Sequence, residues 1–133
     1  RLDCPGMDVI RANEQVGGYL AQHIAPGKMA YWNGGLSVAP LLYAPQVRIY
    51  LPQINDGYAF LHGGDTQELL KYGFWNDDLN SRWQAEADYI IVEGWRYAGM
   101  KESLPASAFD EFPRSPTQTS CLEGSGLRLF QRK

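Results

Sequence analysis

The residues best placed to do chemistry lie in the stretch QINDGYAFLHGGD, residues 53–65. His62 and Asp65 stand close together there, at a spacing where a carboxylate can orient an imidazole for acid–base work. The same pair has a plainer reading. A loop histidine commonly hydrogen-bonds its own backbone, and Asp65 also reads as the cap of a helix beginning Thr66-Gln67-Glu68. Asn55-Asp56-Gly57 is a turn signal without the further acidic positions of a calcium loop. Tyr58 and Phe60 read as packing anchors. A loop of this length inside a small domain is commonly functional, so Gln53, Asn55, Asp56, Tyr58, His62 and Asp65 form a candidate contact surface.

The other chemical motifs are weaker. YWNGGLS, residues 31–37, places two glycines between an expected strand and an expected helix. A phosphate can sit on such a helix start, but the dinucleotide fingerprint and the phosphate-loop pattern are both absent, which favours a structural turn. There is no Gly-x-Ser-x-Gly elbow for a serine hydrolase. The two histidines, His23 and His62, are far apart, so no zinc-ligand spacing exists and no metal or other cofactor is expected. Cys4 and Cys121 are the only cysteines. Two free thiols and one disulfide are both compatible with so sparse a pattern. A bond between them would contribute about 4–5 kcal/mol in the chain-entropy model.

Helical spacing runs through Val9, Ala12, Val16, Leu20 and Ile24, with Asp8 as cap and Ala25-Pro26-Gly27 as the stop. Gly17-Gly18 either weakens that helix or lets a neighbour pack closely. Strands are expected at 28–32, 47–51, 89–92 and 127–130, and a short helix at 37–43 that tolerates Pro40 in its first turn. Further helices are expected at 65–72 and from Asn76 onward, where Leu79, Trp83 and Ala87 form an apolar stripe. Residues 106–112 read as one helical turn or an edge segment. The continuous apolar run Tyr89-Ile90-Ile91-Val92 predicts burial on both faces, as in a parallel sheet. The order predicts an α/β layered fold, with a small, largely parallel sheet of about four strands flanked by helices.

The chain has 133 residues, 44% of them hydrophobic, which predicts a single soluble domain, 1–133, with a real core. The formal net charge of -3 comes with no lysine or arginine cluster, so nucleic acid is not an expected partner. No apolar run is long enough to span a bilayer. The chain starts at Arg1 rather than methionine, as a fragment or a mature form would. Four tryptophans are present. Trp83 and Trp75 read as packing, whereas Trp32 and Trp95 fall near strand ends, where open α/β sheets bind ligands. Trp32, Asn33, the 53–65 loop, Trp95 and Arg96 are therefore expected to share one edge.

The runs YWNGGLSVAPLLYAPQVRIYLPQINDGYAF and GGDTQELLKYGFWNDDLNSRWQAEADYIIVE, with LRLF near the end, carry a resemblance. The chain resembles the extracytoplasmic C-terminal domain of bacterial multi-spanning membrane glycosyltransferases of the dolichyl-phosphate-mannose protein mannosyltransferase and aminoarabinose-transferase type. The resemblance extends from about Asp8 to the end and rests on packing and turn residues. It implies a piece of a longer membrane protein, placed on the extracytoplasmic face of the cell membrane. Its partners would be the membrane portion of its own parent chain and a lipid-linked sugar or glycan acceptor. That family carries its catalytic acidic residues in the membrane portion, so no catalytic residue transfers to this chain. The implied compartment permits a Cys4–Cys121 disulfide. Two rival expectations are a free-standing secreted or periplasmic α/β binding domain, and a small soluble enzyme using His62 and Asp65.

Overall fold

A computed structural model describes Gly6, residues 8–33, 39–50, Gln67, Lys71, 77–115 and 126–133. The first helix, α1 (Val9–His23), starts where Asp8 accepts a hydrogen bond from the Arg11 amide at 3.0 Å. It buries Ala12, Val16, Gly17 and Leu20, the stripe that its spacing predicts. The turn after it is closed by the Lys28 amide donating to the Ala25 carbonyl at 3.3 Å. Pro26 supplies the fixed φ of the second turn position, and Gly27 the positive φ of 79° that the third requires.

Strand β1 (Met29–Asn33) follows, then a 3₁₀ turn at Ala39–Tyr43 and strand β2 (Arg48–Tyr50). Helix α2 (Asp77–Glu86) leads into β3 (Tyr89–Glu93), a 3₁₀ turn at Gly94–Arg96 and the short helix α3 (Tyr97–Met100). A further turn at Lys101–Ser103 precedes β4 (Phe109–Glu111) and β5 (Leu127–Arg132).

The sheet order is β2-β1-β3-β5-β4. β1 pairs in parallel with β2 and with β3, whereas β5 is antiparallel to both β3 and β4. The α/β class holds, and two finer expectations are corrected. The described sheet has five strands rather than four, and it is parallel in only one half. The fifth strand is the three-residue β4, with one buried residue followed by two exposed ones, too short to show an alternation. Its pairing makes 106–112 an edge segment rather than a helical turn. The direction of β5 is invisible in its own residues, because alternation along a strand is the same in either orientation. The short helix expected at 37–43 is a 3₁₀ turn over Ala39–Tyr43.

Both faces of the sheet are covered. On one face, Val16, Leu20 and Ile24 pack with Ala30, Trp32, Tyr89, Ile91, Leu127 and Leu129. On the other, Tyr31, Ile90, Val92 and Phe130 meet Ala87, Met100, Leu104 and Phe109. Adjacent strand residues point to opposite faces, and central β3 has a covered face on either side. That is why Tyr89 to Val92 are all buried.

Candidate functional site

The three parallel strands end at Asn33, Tyr50 and Glu93. After β1 the chain packs against α1, on the first face. After β3 it turns to the second face, where Tyr97 and Met100 join the core. The chain thus leaves two neighbouring strands toward opposite faces, the arrangement that marks the ligand-binding edge in open α/β sheets.

Each strand contributes to this edge through its alternation. Tyr31 points to the second face, opposite Trp32, and its hydroxyl donates to Asn80 Oδ1 of α2 at 2.8 Å. Burial raises the Tyr31 pKa above the ordinary value, while the Asn80 contact and the Arg96 charge pull the other way. The amide of Asn33 donates to the Met100 sulfur, tying the end of β1 to α3. Tyr50, at the end of β2, stacks on Trp83 of α2 with ring centres 5.1 Å apart and planes 10° from parallel. Asn80 and Trp83 are one helical turn apart and therefore share a face of α2. These contacts join Tyr50, at the end of β2, and the α2 residues Asn80 and Trp83 to the sheet edge, so they hold both stems of the connection between β2 and α2.

Of the residues expected at this edge, Asn33 and Arg96 stand there half-buried. Trp95 belongs to the turn after β3, Gly94–Arg96. Trp32 is different: it is 2% exposed and packs in the core on the α1 face, so its ring is closed to a ligand. Strand alternation explains this, since Trp32 and Tyr31 must face opposite ways. Gln53, Asn55, Asp56, Tyr58, His62 and Asp65 lie outside the described residues, as do Cys4 and Cys121. Tyr31 and Asn80 are the residues that sequence reasoning missed. Their signal was available: a buried tyrosine needs a partner for its hydroxyl, and Asn80 precedes Trp83 by about one turn of the same helix.

Among the described residues, no group of three histidine, cysteine, aspartate or glutamate side chains could hold a metal ion. No helix among them is long and apolar enough to cross a membrane. No family model matches the chain, and no curated protein or solved structure matches it.

Proposed function

We propose that this chain is a non-catalytic extracytoplasmic domain of a lipid-phosphate-sugar-dependent membrane glycosyltransferase. In this reading it covers the membrane-embedded active site or assists substrate binding there. The observation that carries the proposal is the construction of the carboxyl edge. The Tyr31–Asn80 hydrogen bond and the Tyr50–Trp83 stack fix the stems of one connection beside Asn33 and Arg96. A fixed base of that kind suits a contact or lid element, because ordering it in advance lowers the entropic cost of docking. The packing and turn residues that resemble the glycosyltransferase domain run through these same elements. They include the YW of β1, the VRIY leading into and through β2, and the ADYIIVE ending in β3.

The experiment is deletion of this domain from the full-length parent enzyme, with sugar transfer from the lipid-linked donor as the readout. Activity is expected to fall sharply while the membrane portion is still produced and inserted. Full retained activity would sink the proposal. Cross-linking from the 53–65 segment is expected to capture the parent's own membrane loops. An upstream reading frame with a signal peptide and no membrane spans would favour a free-standing binding domain instead.

A further inference from the structure

At the other end of the sheet, a cavity of about 280 Å³ opens between α2 and the Ser103–Leu104 stretch. Its floor is apolar, made by Ile90, Leu104 and Phe109. These residues are all buried, and the first belongs to the amino end of β3. The rim is polar, with Ser81 from α2, Ser103 and Arg132. No carboxylate is among the described lining residues.

Arg132 is held rigidly. Its Nε donates to the Ala87 carbonyl at 2.9 Å and its Nη2 to the Gln84 carbonyl at 2.7 Å. Its guanidinium also sits 4.8 Å from the centre of the Phe109 ring. These two carbonyls engage Nε and one Nη2 hydrogen of a group that carries five N–H donors. A guanidinium locked in this way presents a fixed positive charge to the cavity and loses little entropy on binding.

We infer that this cavity is a binding site for a single polyhydroxylated ring bearing one anionic group, as in a uronic acid or a sugar phosphate. The size is just under the roughly 300 Å³ at which ligand pockets usually begin, which fits one ring and not two. Phe109 and Leu104 offer a surface for the C–H face of the ring, the two serines offer partners for hydroxyls, and Arg132 recognises the charge. The site lies away from the carboxyl edge and does not depend on the glycosyltransferase reading.

The test is calorimetric titration of the full chain with glucuronate, glucose 6-phosphate and uncharged glucose. At least one anionic ligand is expected to bind roughly tenfold or more tightly than glucose, the scale of one charge-assisted hydrogen bond. Binding of glucuronate alone assigns a carboxylate, and binding of glucose 6-phosphate alone assigns a phosphate. Two exposed positions probe the site without touching the core. Ala85→Trp fills the mouth and is expected to abolish binding. Ser103→Asp places a negative charge on the rim and is expected to weaken the anionic ligands about tenfold, with an unchanged melting temperature. The inference is overturned if none of the three ligands binds, if glucose binds as tightly as the anionic pair, or if both variants bind like the parent chain.

Discussion

Tyr31 shows how one side chain links the core to the candidate edge. Its ring lies in the core and its hydroxyl reaches Asn80. Burial raises its pKa, so the folded state holds the phenolic proton more tightly than the unfolded chain does. A raised folded pKa makes stability complete below the ordinary value of 10.0, and stability falls as pH climbs past it. Tyr19 acts in the same direction, because burial and the Glu111 charge both raise its pKa. Denaturant unfolding between pH 8 and 11 is expected to show this decline, with a smaller decline in Tyr31→Phe. That variant also strands Asn80 Oδ1, at a cost of about 1 kcal/mol at neutral pH. A decline identical in both proteins would exclude Tyr31 as a source.

The paired glycines of α1 make a second prediction at this scale. A Cβ on Gly17 would clash with the Pro40 carbonyl oxygen and stand 2.7 Å from Tyr43 Cβ, whereas one on Gly18 would meet nothing within 4 Å. Gly17→Ala must push α1 off the 3₁₀ turn and is expected to destabilise by about 1–3 kcal/mol. Gly18→Ala only improves helix propensity and is expected to stabilise by about 0.5–1 kcal/mol. Thermal unfolding of the two variants separates these signs. Equal effects would mean that the helix and the turn do not pack as closely as the geometry requires.

At the scale of elements, two clasps hold strands and helices in place. Stacking of Tyr50 on Trp83 joins β2 to α2 across the connection between them. A double-mutant cycle with Tyr50→Leu and Trp83→Leu is expected to return a coupling of about 0.5–1.5 kcal/mol, the usual range for aromatic pairs. A coupling near zero would dissolve the clasp, and with it the fixed base on which the proposed contact element stands. The second clasp joins β4 to β5. Arg128 donates to both carboxylate oxygens of Glu111, at 3.1 Å and 2.6 Å, and lies 3.3 Å from the centre of the Tyr97 ring. Glu111 is partly exposed, so solvent weakens the pair, and its expected coupling is only about 0.5–1 kcal/mol. That value is expected to shrink in high salt. The antiparallel half of the sheet thus rests more on Leu127, Leu129 and Phe130 in the core than on its ion pair.

For the whole molecule, the sheet is the shared wall of two cores. Leu20, Trp32, Ile91 and Leu129 fill one side, and Tyr31, Ile90, Val92 and Phe130 fill the other. Adjacent residues of β1 and β3 serve both cores, so neither core can open without breaking the strands that support the other. Calorimetry is therefore expected to show one cooperative transition, with equal calorimetric and van't Hoff enthalpies. Two separable transitions would contradict this coupling. The arrangement also places two features at opposite ends of one rigid sheet. Asn33 and Arg96 stand at the carboxyl ends of the parallel strands, and the Arg132 cavity stands at the amino end of β3.

Local physics made much of this legible from the residues alone. Apolar spacing, the Asp8 cap and the Pro26-Gly27 stop defined α1, and the unbroken apolar run Tyr89 to Val92 marked the central strand. Asn33 and Arg96 were reachable because strand ends can be read from where such runs stop. The existence of β4, the antiparallel direction of β5 and the partnership of Tyr31 with Asn80 needed the tertiary structure. Each depends on contacts between residues distant in the chain, and local propensity carries no information about pairing partner or direction. Trp32 is the sharpest example: its position near a strand end placed it at the edge, but only the packing of α1 decided that its ring belongs to the core.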